Sequence, residues 1–345
     1  MKFKAAVLCE LKKPLEILEI APQKPLQPGQ VLVKIFYSGI CGSQLGEING
    51  KKGHDKYLPH LLGHEGSGEV VETGPGVRFV RPGDHVVLHW KKGSGIEAET
   101  AKFVCGKKII NSGWVTTFSE YTVVSENRIT PIPSDFDLRL APLFGCAVTT
   151  GFGAVVNNAK LKIGESAVVF GTGGVGLNIV QAAAMAGAYP VIAVDLFDPR
   201  LELASRLGAT HLINAEKTDA FERIAEIAGN KLDIFFDNTG DPRIIEKGYA
   251  AVHAQGRLIL IGVPNAGDNI SIHSLPMHFG KTICGSFGGE TVPQNDIPRY
   301  VELCRAGRLH LKEQISAEYP LCDINAALDA LRCGRIAGRC LIRMP

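Results

Sequence analysis

The chain has 345 residues, 45% of them hydrophobic and 21% charged. That length carries two domains at roughly 100–200 residues each, and the composition is that of an ordinary soluble globular protein. A net charge of +2 gives no general electrostatic ground for nucleic acid, no run approaches the ~18 apolar residues of a membrane span, and the opening apolar stretch is too short for a secretory signal.

In chain order, the first third is rich in Gly, Pro and β-branched residues. Strands are expected at 31–37, 67–72, 84–89 and 120–124, separated by the turn signals Pro28-Gly29, Gly74-Pro75-Gly76 and Pro82-Gly83-Asp84. This reads as a β-rich domain with irregular loops. The texture changes near Cys146. An apolar run at 167–170 suits a buried parallel strand, and a helix over 175–186 ends at Gly187. Strands at 191–194, 211–213, 232–236 and 257–263 then alternate with helices at 199–207, 220–228 and 242–253. That alternation predicts an α/β doubly wound parallel sheet of Rossmann type. The tail, 297–345, carries two helix-like stretches and a final strand at 339–343.

The segment Gly171-Thr172-Gly173-Gly174-Val175-Gly176 fits G-x-G-x-x-G between a buried strand and a helix. Such glycines let the backbone turn tightly and approach a pyrophosphate, which the helix N-terminus attracts. Asp195 ends the next strand, where a carboxylate accepts from ribose hydroxyls and repels a 2′-phosphate. The expected cofactor is therefore NAD, with Arg200 near enough to reach the adenosine side.

Nine cysteines without a spaced framework are expected to be reduced, most of them packing residues. Two of them and one histidine stand among small residues that leave room for a metal: Cys41 in Gly39-Ile40-Cys41-Gly42-Ser43, His64 in Gly63-His64-Glu65-Gly66, and Cys146 in Gly145-Cys146-Ala147. Two thiolates and a neutral imidazole are the three protein ligands of a catalytic zinc with one open position. A metal in such a set lowers the pKa of a hydroxyl it meets.

These segments, with Gly171–Gly176 and Asp195 following in order, resemble those of the zinc-containing medium-chain alcohol and polyol dehydrogenases, and the similarity runs through nearly the whole chain. The resemblance implies a GroES-like catalytic domain over 1–146 and 285–345 and a Rossmann NAD-binding domain over 147–284. It also implies residue roles. Cys41, His64 and Cys146 match the zinc ligands, Glu65 an acid that approaches the metal, and Ser43 the hydroxyl that takes the substrate proton. Thr150 matches a residue behind the nicotinamide, Ile261, Gly262 and Val263 the backbone facing the carboxamide, and Arg339 a partner of the pyrophosphate. Trp90 falls where relatives place an aromatic wall of the substrate pocket.

Three departures stand out. Relatives often carry a second, structural zinc on four close cysteines, whereas 90–114 contains only Cys105, so one zinc and not two is expected. Gln44 replaces an Asp that orients the metal site. Gly46 stands where some relatives place a proton-relaying His.

The function expected is reversible oxidation of a secondary alcohol of polyol, sugar or cyclitol type to a ketone with NAD, in a cytoplasmic homodimer or homotetramer whose partner is a small-molecule substrate, not nucleic acid or membrane. The polar loops at 42–60 and 90–112 motivate that substrate class. A zinc-free reductase of activated double bonds and a non-catalytic NAD-binding protein on the same fold are the alternatives, and the intact ligand trio with Ser43 and Glu65 disfavours both.

Overall fold

A computed structural model describes residues 1–51 and 53–345, with Asn230 described by its backbone alone. At the centre of its first part lies the long strand Gln30–Ile40, whose apolar residues Val31, Val33 and Ile35 are fully buried. It pairs antiparallel with Glu65–Thr73, Tyr121–Ser125 and the C-terminal strand Arg339–Arg343. Among the described residues these belong to a seven-stranded sheet, completed by His85–His89, Ile129–Pro131 and Ile315–Pro320. Glycine in Glu65–Thr73 has a steric reason, since a Cβ on Gly68 would stand 2.1 Å from the Lys34 carbonyl oxygen. A small closed barrel of Phe3–Leu8, Glu16–Pro22, Lys102–Cys105, Lys108–Asn111 and His60–Leu61 packs its own core around Phe3, Ile20 and Phe103.

The second part is a parallel sheet in the order His211–Asn214, Val191–Asp195, Ala167–Phe170, Ile234–Asp237, Arg257–Leu260, Thr282–Gly285. The strand order reverses around the first strand in sequence, which is the doubly wound pattern. The strands are almost wholly apolar because helices such as Gly174–Met185 cover them. The chain divides into a unit of Met1–Cys146 with Val292–Pro345 and a unit of Ala147–Thr291. The return to the first unit thus falls at Val292 and not at 285, because Thr282–Gly285 is still a strand of the parallel sheet, paired to Arg257–Leu260.

Other boundaries also move. The strand expected over 257–263 stops at Leu260, since Ile261 and Gly262 turn their N–H groups onto the Asp237 carbonyl at 2.8 and 2.9 Å. The first unit contains a helix, Gly42–Ile48, that the β-rich reading lacks, and a second helix, Ala147–Gly153, opens the other unit. Each carries two glycines, so neither has the propensity or periodicity that marks a helix in sequence. Among the described residues no helix is long and apolar enough to cross a membrane.

Candidate metal centre and cofactor loop

Three chain segments converge on one cluster in the first unit. Cys41 follows the last residue of Gln30–Ile40 and is the N-cap of the helix Gly42–Ile48. His64 directly precedes the strand Glu65–Thr73. Cys146 sits at the end of the short 3-10 helix Ala141–Gly145. The ligand atoms of these three residues lie within 4.8 Å of one another. The small flanking residues have steric reasons. A Cβ on Gly39 would stand 2.8 Å from Glu65 Cδ, and one on Gly145 would stand 2.4 Å from the Leu88 carbonyl oxygen. At Gly42 there is nothing within 4 Å, so space is open beside Cys41.

The electrostatics favour a thiolate. A hydrogen bond from the Cys146 thiol holds the Cys41 thiol well below its ordinary 9.0, and His64 and Arg339 add to the effect against the opposing cost of burial. His64 Nε2 is buried and has no hydrogen-bond partner, whereas its Nδ1 meets Gln44 Nε2 at 2.5 Å. A buried ring nitrogen is rarely left unpaired. With two sulfurs beside it, this one completes a Cys₂His donor set that fits zinc.

Strand register closes one wall of the cluster. Cys340 pairs with Ile40 and Leu341 with Gly39, which brings Arg339 beside Cys41. The Arg339 guanidinium donates to Glu65 Oε1, and the two side chains are 4% and 0% exposed. Burial pushes the Arg339 guanidinium below its ordinary value, while the Cys41 thiolate supports its charge. Glu65 Oε2 and Arg339 Nε have no partner. The structure therefore gives Arg339 a place in the metal site's wall that the sequence reading did not assign. No local signal announces it, since the pair spans 274 positions.

Ser43, exposed, occupies the first turn of the helix that Cys41 caps. Trp90, half-buried, follows His85–His89, and its carbonyl accepts from Arg128. Arg128 also pairs with Glu97 at 2.7 Å and lies over the Trp114 ring. Lys92 pairs with the same Glu97, so this lysine is engaged within its own loop. The Glu97–Arg128 pair is one of several contacts that tie down the segment 90–114, beside the Ile96 N–H donated to Glu126 and the Ala98 N–H donated to Ser125. Gly46 is packed against Lys51, whose Cδ would stand 3.1 Å from a Cβ there.

The cofactor loop is in the second unit. Gly171 has φ +89°, and a Cβ on Gly176 would stand 2.0 Å from the Gly171 carbonyl oxygen. Gly173 caps Gly174–Met185 with nothing within 4 Å of its Cβ position, which leaves room for a phosphate over the helix N-terminus. Asp195 ends its strand and accepts from the Thr172 N–H at 2.7 Å, from Thr172 Oγ1 at 3.1 Å and from the Leu196 N–H at 2.8 Å. Arg200 stands 3.6 Å from the oxygen that meets Leu196. Asp195 thus locks the glycine loop to the second strand. Thr150 lies in Ala147–Gly153 with its buried Oγ1 unpartnered. Val263, past the end of Arg257–Leu260, is exposed.

Comparison with known proteins agrees with this architecture. Residues 27–134 match the alcohol dehydrogenase GroES-like domain, and residues 174–306 match the zinc-binding dehydrogenase family. The chain is 33% identical to an alcohol dehydrogenase class-3 of Cereibacter sphaeroides, over 97% of this chain and 98% of that one. It is 34% identical to an S-(hydroxymethyl)glutathione dehydrogenase of Synechocystis, again over 97% and 98%. Among solved structures, benzyl alcohol dehydrogenase from Acinetobacter calcoaceticus superposes with a TM-score of 0.90 at 30% identity, covering 100% of both chains. With a Cys–His–Cys cluster, a glycine loop closed by Asp195 and relatives matched end to end, this chain belongs to the zinc-containing, NAD-linked medium-chain alcohol dehydrogenase family.

Proposed function

We propose that the chain oxidises a polar secondary alcohol of polyol, sugar or cyclitol type to a ketone, reversibly. The observation that carries the alcohol chemistry is the convergence of Cys41, His64 and Cys146 on one point with His64 Nε2 buried and unpaired. When bound there, zinc supplies a Lewis acid that acidifies a hydroxyl, and NAD supplies the hydride acceptor.

The chain's own residues do the rest. Ser43 relays the substrate proton from its place on the first helical turn, accepting it as its own hydroxyl proton passes to solvent, beside the open space at Gly42. Glu65, kept charged-paired by Arg339, holds a second carboxylate oxygen in reserve near the ligands. Arg339 offers its remaining N–H groups to the cofactor pyrophosphate. Asp195 and Arg200 address the adenosine ribose. Thr150 and the backbone of Ile261, Gly262 and Val263 hold the nicotinamide. Trp90 forms a wall of the substrate pocket, its carbonyl fixed by Arg128. The polar character of the loops at 42–60 and 90–112 supports a polyhydroxylated substrate.

A second reading has its own support. Several relatives are named S-(hydroxymethyl)glutathione dehydrogenases, which favours a hydroxymethyl thiol adduct as the alcohol. One panel tests both: zinc-loaded protein with NAD, against polyols, sugar alcohols and cyclitols, benzyl alcohol, and glutathione with formaldehyde. Turnover of polyols at the highest kcat/KM supports the first reading. A preference of ~10-fold or more for the glutathione adduct replaces it with the second.

A further inference from the structure

Gln44, 1% exposed, stands between two of the three ligands. Its Oε1 accepts the Cys41 N–H at 2.8 Å, and its Nε2 lies 2.5 Å from His64 Nδ1. A carboxamide has a single acceptor oxygen, and its other end only donates. With Nδ1 engaged by Gln44, the opposite nitrogen, Nε2, buried and without a hydrogen-bond partner, is the one left for the cluster. A neutral imidazole that gives its Nε2 lone pair to a metal carries its hydrogen on Nδ1. Nδ1–H is then a donor, and it faces the donor end of Gln44. The oxygen it needs is already held by Cys41. Reversing the amide serves His64 but sets an NH₂ group against the Cys41 N–H. With metal in place, two ligand residues claim one oxygen.

We propose that Gln44 is a positioning residue whose single acceptor is contested by Cys41 and His64, so that zinc loading reverses its carboxamide and releases the Cys41 N–H. It follows that zinc is held less tightly than a side chain of the same shape with two acceptor oxygens would hold it. The inference rests on zinc occupying the Cys41–His64–Cys146 cluster.

Two measurements on the full chain test it. The first is zinc affinity by competition with a chromophoric chelator, for wild type, Gln44→Glu and Gln44→Met. Glu is isosteric and offers an oxygen to each claimant, so Gln44→Glu should bind zinc at least ~10-fold tighter and Gln44→Met more weakly than wild type, the range seen for groups supporting metal ligands. The second separates hydrogen bonding from added charge. In protein labelled with ¹⁵N-cysteine, zinc should speed hydrogen exchange of the Cys41 amide in wild type and leave it unchanged in Gln44→Glu. A Cys41 amide equally protected with and without zinc in wild type overturns the inference, as does a Gln44→Glu protein that binds zinc no more tightly. If wild type takes up no zinc at all, the reading of the metal centre falls, and the inference falls with it.

Discussion

Arg339 and Glu65 form an ion pair withdrawn from water, their side chains 4% and 0% exposed, in the wall of the cluster that contains Cys41. A pair this deep is tolerated because each charge is answered: the guanidinium also meets the Cys41 thiolate. Removing one partner leaves the other as an uncompensated buried charge, which costs about 3–5 kcal/mol. Arg339→Met and Glu65→Leu should therefore each lower the denaturant midpoint sharply. The double variant should recover most of the loss, because apolar side chains of similar volume replace both charges. Additive losses in the double variant would show that the two residues do not act as a pair.

The metal centre gives a second expectation. Cys41→Ala removes a sulfur that no other side chain in the cluster can replace. The purified variant should contain no zinc where wild type contains about one per chain, and alcohol oxidation should fall to background. Full turnover by a metal-free Cys41→Ala protein would sink the zinc mechanism. Circular dichroism matching wild type would show that the loss is not one of folding.

Asp195 joins fold to cofactor. Its carboxylate holds Thr172 in the glycine loop, and in the function proposed above it also meets the adenosine ribose. Hydrogen bonds to charged groups contribute about 1.5–3 kcal/mol each, so Asp195→Ala should weaken NAD binding by ~10-fold or more in calorimetry. The same change removes the charge that repels a 2′-phosphate, with Arg200 already 3.6 Å from that carboxylate. The ratio of NADP to NAD use should rise accordingly. An unchanged ratio would show that the preference is set elsewhere.

How legible these features were in the sequence follows from how local they are. The doubly wound sheet is written in short-range patterns, such as Ala167–Phe170, the glycine loop and Val191–Asp195, each read within a dozen residues. The ligand trio is legible through its small neighbours, because Gly39 and Gly145 are small for the sake of Glu65 and Leu88. The Arg339–Glu65 pair is not legible, because it depends on the register of Cys340 against Ile40. The helix Gly42–Ile48 is hidden by Gly42 and Gly46, and it forms where Cys41 and Gln44 cap it. The hairpin Lys102–Cys105 with Lys108–Asn111 is short and lysine-bearing, so it lacks the alternation of longer strands.

Asp233, in the second unit, supplies a pH dependence of its own. One oxygen accepts both the Ser166 N–H and Ser166 Oγ at 2.8 Å, and the other meets His253 Nε2 at 3.1 Å. Burial on its own would raise the Asp233 carboxyl, but these hydrogen bonds outweigh it and hold the group below its usual 3.8. A carboxylate depressed on folding contributes stability that is fully present above the unfolded-state value of about 3.9. That contribution is lost as pH falls through the lower folded-state value. Asp233→Asn should thus lower the thermal midpoint at neutral pH. The gap to wild type should narrow only below about pH 4, where the native carboxylate takes up its proton. Thermal scans of both proteins between neutral and acid pH check this. A gap that stays constant through the acid limb would mean that Asp233 stabilises the fold by shape and not by its charge.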